Sequence, residues 1–211
     1  MDIDGLVARF PRIWHATTTG AWSNIQASGI RTSLDLLTSA GRAAEAAVHR
    51  SEPTTVSTPN GDAVLRKQIT SRPDPEPHLD GLTSAEWWTM LNARSYFFLD
   101  RDLLDKFVAA QLEAGIGQDI LTFETRRLLG PLAESIEVTT VNTSVFPRVA
   151  GPSRGRSTFQ TLADFTGLPT KIREITMTVT VPITDSAVIS AVTALPGETP
   201  VRIWPPVKVR A

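Results

Sequence analysis

The chain has 211 residues, 41% hydrophobic and 20% charged, with 21 Lys or Arg against 22 Asp or Glu and a net charge of −1. That is long enough for one well-cored domain. The near-zero charge excludes a global field that recruits nucleic acid or an anionic membrane, so any nucleic-acid contact needs a local basic patch. With no Cys, disulfides, thiolate catalysis and Cys-ligated metal are excluded, and His15, His49 and His78 lie too far apart to read as a ligand set.

Residues 2–10 read as a short amphipathic turn of helix. The stretch Arg12-Ile13-Trp14-His15 then reads as a strand closed by His15. Thr17, Thr18 and Thr19 offer side-chain oxygens for a turn and a helix N-cap. Trp22 and Ile25 follow at helical spacing, and Gly29 stands where a left-handed C-cap is expected. Thr32 or Ser33 caps a helix expected to run to about Arg50. Residues 51–62, with Pro53, Pro59, Asn60 and Gly61, read as a loop. Residues 63–69 look like a strand, and residues 71–80, with Pro73, Pro75 and Pro77, like a second loop.

Thr83 and Glu86 form a capping box ahead of Trp87, Trp88, Leu91 and Asn92. The two adjacent Trp are expected in the core. Residues 94–99 are an aromatic strand, and Asp100 caps a helix through about Ala114. Residues 119–123 read as a buried strand, 124–129 as a short helix and 134–141 as an alternating strand. A long loop spans residues 142–155. Residues 172–181 alternate strictly, with Ile175, Met177, Val179 and Val181 on the expected core face. A short helix is expected over 184–192. Residues 201–204 and 207–209 are expected to add an edge strand broken by Pro205 and Pro206. No Gly-rich loop follows the first strand and strand and helix do not alternate regularly, which disfavours a doubly wound nucleotide fold. The order fits a single α+β domain over residues 1–211, built around a split antiparallel sheet with flanking helices. No apolar run reaches transmembrane length and no signal-peptide core is evident, so a cytoplasmic protein without a membrane partner is expected. No Gly-x-Ser-x-Gly elbow supports a hydrolase triad.

Several motifs share one order: His15-Ala16-Thr17, then Asn24-Ile25 and Gly29-Ile30; Leu65-Arg66-Lys67-Gln68; Trp87-Trp88-Thr89-Met90-Leu91-Asn92 before Tyr96-Phe97-Phe98; Asn142-Thr143; Arg154-Gly155-Arg156-Ser157-Thr158-Phe159; and Glu174 ahead of Val181-Pro182. Together they resemble the DarT-related branch of the ADP-ribosyltransferase fold, with Ala16 where His-Gly-Thr members carry Gly. The resemblance implies an NAD-dependent ADP-ribosyltransferase with NAD as substrate and a macromolecular acceptor, DNA or RNA among the candidates, acting as a toxin or defence effector with an antitoxin partner. It also implies roles for residues. His15, Ala16, Thr17 and Asn24 would hold the dinucleotide, with Gln68, Tyr96, Asn142, Thr143 and Arg154 completing its site. Arg66 would be a catalytic residue or engage the phosphates through its guanidinium. Glu174 would stabilise the cation that develops as nicotinamide leaves. His15, Arg66 and Glu174 are expected to converge on one cleft, with Glu174 on a strand next to that of His15 and on the same sheet face, since the period of two would hold the pair apart on opposite faces and end a joint catalytic role. An RNA 2'-phosphotransferase-like enzyme and a non-catalytic nucleotide- or partner-binding domain are the alternatives.

Overall fold

The computed structural model describes residues 1–72, 74–146 and 153–205. Helix α1 (Ile3–Arg9) starts on Asp2, whose side chain accepts from the Gly5 N–H. Strand β1 (Arg12–Thr18) follows, then α2 (Trp22–Ser28) and α3 (Ser33–Ser39). The cap of α2 comes from outside the local sequence. Thr17–Thr19 do not supply it; the Trp22 N–H donates to Asp119 Oδ2 at 3.1 Å, while Thr193 Oγ1 donates to Asp119 Oδ1 at 2.7 Å. Asp119 is fully buried, so a long-range carboxylate fixes the helix start. Asp119→Ala strands the Trp22 N–H and is expected to cost about 1–2 kcal/mol of stability. Denaturant unfolding checks this, and an unchanged midpoint would refute the capping role.

The expected long helix over 32–50 stops at Ser39. Gly41, at φ +72°, lets the chain turn there, and Ala43–Ala47 form only a 3₁₀ turn. The expected loop over 51–62 is instead most of a hairpin, β2 (Thr54–Thr58) and β3 (Gly61–Leu65), turned at Gly61 with φ +100°. Strand β3 ends at Leu65, so Arg66 and Gln68 lie on the segment beyond it. Gly29 has φ +81° but an extended ψ of 174°, not a left-handed helical cap. A Cβ there would stand 2.6 Å from the Val181 carbonyl oxygen, and Ile30 and Val181 exchange two backbone hydrogen bonds of 2.9 Å.

Helix α4 (Ser84–Asn92) carries the capping box of Thr83 and Glu86. Strand β4 (Ser95–Phe97), helix α5 (Arg101–Glu113), strand β5 (Gln118–Glu124), helix α6 (Thr125–Leu129) and strand β6 (Ile136–Thr139) follow, with shorter strands than the pattern suggests at β4 and β6. After β7 (Gln160–Thr161), β8 covers only Glu174–Met177 of the alternating stretch, and Val179 turns out to solvent. The expected helix over 184–192 is strand β9 (Val188–Ala194), and β10 (Val201–Trp204) is the edge. Val188, Ile189 and Val192 are β-branched, and pairing with β5 decides their state. The expected strand at 207–209 and residues 147–152 of the long loop lie outside the described residues.

Two four-stranded antiparallel sheets result, ordered β1-β5-β9-β10 and β4-β8-β6-β7. They meet at one pair, Trp14 and Phe98, whose backbones exchange hydrogen bonds of 3.0 and 2.8 Å. Beyond that pair β1 and β4 are not laddered. The main core lies over one face of both sheets and includes Ile13, Leu121 and Phe123 with Phe97, Ile175 and Met177. Helix α5 covers the other face of the first sheet through Leu104 and Val108, against Ala16 and Ile120. Trp87 and Trp88 are both core residues, as expected; Trp87 packs with Phe146 and Phe159. The architecture is thus mixed α+β with antiparallel sheets. Among the described residues, no helix is long and apolar enough to cross a membrane.

Candidate functional site

The parting of β1 from β4 opens a cavity of about 420 Å³, within the range of small-molecule sites. One wall is β1 from His15 to Thr18, with Thr19 just beyond it. The other is the end of β4 with Glu174. The segment after β3 closes the third side with Arg66 and Gln68. His15, Arg66 and Glu174 therefore line a single cavity despite their separation in sequence. Ala16, Thr17, Asn24, Gln68, Tyr96 and Thr143 line it too.

The arrangement differs from expectation in three respects. His15 sits in the middle of β1, not at its end, because Ala16–Thr18 continue the ladder with β5. Glu174 is not on a strand next to β1: β4 lies between β1 and β8. Nor do the two share a sheet face. Opposed residues of antiparallel strands point the same way, so Trp14, Phe98, Tyr96 and Thr176 mark one face and Glu174 belongs with them. His15 belongs to the other, where its ring packs 5.7 Å from Phe97. Both reach the cavity because the split between the sheets opens through to both faces.

His15 Nδ1 lies 2.9 Å from the Tyr96 carbonyl oxygen, across the split. A carbonyl only accepts, so Nδ1 carries the proton and Nε2 is left as the acceptor. Burial, with a smaller contribution from the nearby Arg66 charge, pushes the His15 pKa down to about 4, so the ring is neutral. Glu174 accepts long hydrogen bonds from the Thr143 N–H at 3.4 Å and from Thr139 Oγ1 at 3.3 Å. These are too weak to offset its desolvation, which raises its pKa to about 7. The Tyr96 hydroxyl donates to the Leu91 carbonyl at 3.3 Å; burial first and Glu174 second push its pKa up.

Two guanidinium groups, Arg66 and Arg50, face the cavity without a close ion pair among the described residues, although the Glu45 charge acts on Arg50. Arg66 donates to Gln118 Oε1 at 3.3 Å and lies 5.0 Å over the Phe107 ring. Burial, then the neighbouring Arg50 charge, pushes its pKa down to about 10. Arg50 donates to the Arg66 carbonyl at 2.7 Å and reaches Asn92 Oδ1 at 3.3 Å; burial lowers its pKa as well. Asn92 is buried and also accepts from Gln68 Nε2 at 3.3 Å, while its own amide donates to the Ala46 carbonyl. Gln68 Oε1 accepts from the Arg50 N–H at 2.8 Å. Gln68 and Asn92 thus hold Arg50 in place. Two half-buried cations this close repel each other, and a bound anion relieves that repulsion. Sequence reasoning did not single out Arg50, which sat at the end of an expected helix, and no local signal marks it.

Three other residues serve differently than expected. Asn24 lines the cavity, but its amide donates to Thr58 Oγ1 at 3.1 Å and the Gly61 carbonyl at 3.2 Å, and its Oδ1 accepts from Ser28 at 2.8 Å. It ties the β2–β3 hairpin to α2. Asn142 is exposed, does not line the cavity, and turns its carbonyl oxygen onto Ser144. Arg154 also lies off the cavity wall. It is buried, donates to the Val145 carbonyl at 3.1 Å, and its charge opposes the upward shift of Glu174. The burial of Arg154 follows from tertiary packing that the local sequence does not encode.

A second hollow, of about 660 Å³, is lined by Arg9, Arg12, Arg101 and Arg173, together with the carboxylate of Asp100, around Trp14 and Phe10. Arg101 pairs with Asp105, while Arg9, Arg12 and Arg173 form no ion pair among the described residues. Arg173 is the residue before Glu174, so the groove adjoins the strand that brings the carboxylate to the cavity. No group of His, Asp and Glu among the described residues is arranged to hold a metal ion. No curated protein and no solved structure matches the chain. The family model that does match spans residues 11–188, from just ahead of β1 to the first residue of β9. It therefore takes in every residue of the main cavity, and the chain belongs to this family of unknown function, DUF7002.

Proposed function

We propose that the protein is an NAD-dependent ADP-ribosyltransferase whose reaction site is the cavity between the two sheets. The observation that carries this reading is the meeting of a neutral His, two Arg without a close ion pair and a half-buried Glu in one cavity of ligand size. Each has a role in such a reaction. Arg66 and Arg50 supply donors and charge for a pyrophosphate. His15 presents Nε2 as an acceptor to a ribose hydroxyl. Glu174 sets a negative charge where positive charge develops on the ribose as nicotinamide departs, and its water-poor surroundings magnify that interaction.

The acceptor in this reading is nucleic acid. A polyanion is matched by the arginine groove, and Trp14 offers a ring for a base. Incubation with NAD labelled on the adenylate phosphate tests the activity. Released nicotinamide together with label on DNA or RNA supports the proposal, label on protein redirects the acceptor, and binding without cleavage favours the non-catalytic alternative. Replacing both Arg12 and Arg173 by Ala is expected to weaken transfer to nucleic acid about ten-fold at low salt, with a shallower salt dependence and unchanged nicotinamide release in the absence of acceptor. Equal salt slopes for the two proteins would remove the groove from the acceptor path.

A further inference from the structure

Strand β3 runs beside the cavity with one edge unpaired. In the hairpin, Thr58 stands opposite Gly61, Ser57 opposite Asp62 and Thr55 opposite Val64. Hydrogen-bonded and non-bonded pairs alternate along an antiparallel ladder. The Thr55 carbonyl accepts from Arg42 Nη1 at 2.9 Å, outside the hairpin, which makes Thr55 and Val64 a non-bonded pair. Asp62, two residues before Val64, has the same phase. The backbone N–H and C=O groups of Asp62 and Val64 therefore point away from β2, and they find no backbone partner elsewhere among the described residues. Both residues are exposed and both line the cavity. A free edge of this kind is a template for a further strand.

The charges around the edge narrow what pairs there. Beyond Leu65 the chain continues into Arg66 and Lys67, which line the cavity with Arg50. Arg66 and Arg50 lack a close ion pair, and Arg50 is tied to the Arg66 carbonyl at 2.7 Å. A strand laid along β3 rises about 3.3 Å per residue, so its residue two places past the one opposite Val64 comes level with Arg66. A carboxylate at that place relieves the repulsion between the two guanidinium groups. Val64 favours an aliphatic residue across from it. Asp62, whose carboxylate accepts from Ser57 Oγ at 2.9 Å, favours a basic one.

We infer that the free edge of β3 docks an extended segment of a partner polypeptide, which adds as an antiparallel third strand to the hairpin and sets an acidic residue against Arg66 and Arg50. Main-chain bonds supply the hold and alternate side chains the selectivity. A segment seated there covers the cavity, so the partner acts as an inhibitor of the reaction the cavity carries. The probe is the capped peptide Thr-Glu-Thr-Val-Thr-Lys-Thr, titrated into the isotope-labelled full chain and followed by amide chemical shifts and hydrogen exchange. Saturable shifts centred on Asp62 and Val64 are expected, with slowed exchange of those two amides and displacement of the peptide by inorganic pyrophosphate. Replacing the Glu of the peptide by Gln is expected to weaken binding about ten-fold, the scale of one hydrogen bond to a charged group. Val64→Pro removes an N–H that the hairpin does not use, and is expected to weaken binding about ten-fold or more. Thr55→Pro makes the same change on the outer edge of β2 and is expected to bind as the wild type does. No saturable binding, shifts centred elsewhere, no displacement by pyrophosphate, equal affinity for the Gln peptide, or equal losses in the two Pro variants would each overturn the inference. So would a dimer in sedimentation that Val64→Pro abolishes, since the edge would then pair with a second copy of the chain. None of these measurements needs NAD or turnover, so this inference and the transferase reading stand or fall separately.

Discussion

Glu174→Gln is expected to lower the rate of nicotinamide release by about 10²–10³-fold, the scale for removing one preorganised electrostatic group. The variant keeps the shape and an acceptor for the Thr143 N–H, so NAD affinity should change far less than turnover. The pH dependence gives a second signature. With its pKa raised to about 7, Glu174 is largely protonated at pH 6 and ionised at pH 8. Wild-type kcat/KM is therefore expected to rise through pH 7, while the Gln variant stays flat. His15, neutral above about pH 4, adds no step in that window. Stability moves the opposite way. The folded protein holds the Glu174 proton up to about pH 7 and the unfolded chain only to about 4.5. Glu174 thus destabilises the fold progressively as pH rises between those values. Glu174→Gln is expected to be more stable than wild type by about 1–3 kcal/mol at pH 8 and indistinguishable from it near pH 4. On the sequence alone the strand Glu reads as surface-facing and the substitution as neutral to folding; its burial reverses that. Wild-type turnover in the variant would take Glu174 out of the chemistry.

Trp87→Ala carries the largest stability effect, an expected loss of about 3–5 kcal/mol. Trp87 is fully buried and packs against Phe146 and Phe159, with centroids 6.1 and 6.0 Å away. The loss should reach the cavity, because α4 also carries Asn92, which holds Arg50, and Trp88 on the cavity wall. The indole N–H of Trp87 has no hydrogen-bond partner among the described residues, so the ring supplies volume and no hydrogen bond. Trp87→Phe is therefore expected to cost clearly less than Trp87→Ala, since it keeps most of the apolar ring and buries no orphan donor. Thermal and denaturant unfolding of both variants measures the difference. Equal losses would show that a bond of the indole N–H, and not packing, holds α4 in place.

The sequence by itself determined the elements whose cause is local. The capping box at Thr83 and Glu86, the Asp100 cap, the opening strand and the alternation about Ile175 are all written in neighbouring residues. It also supplied His15, Arg66 and Glu174 as candidates, through the resemblance that the shared order of its motifs carries. Only the tertiary structure decided the rest. Residues 188–194 have the composition of a short helix or a strand, and the free edge of β5 chose the strand. Asp119 caps a helix 97 residues away, which no local pattern carries. Arg50 was invisible as a site residue, since its place in the cavity depends on how a 3₁₀ turn packs beside the split. The face of each strand follows from the period of two. That His15 and Glu174 nevertheless border one cavity follows from the parting of β1 and β4 beyond a single bridge, a long-range event that local sequence does not encode.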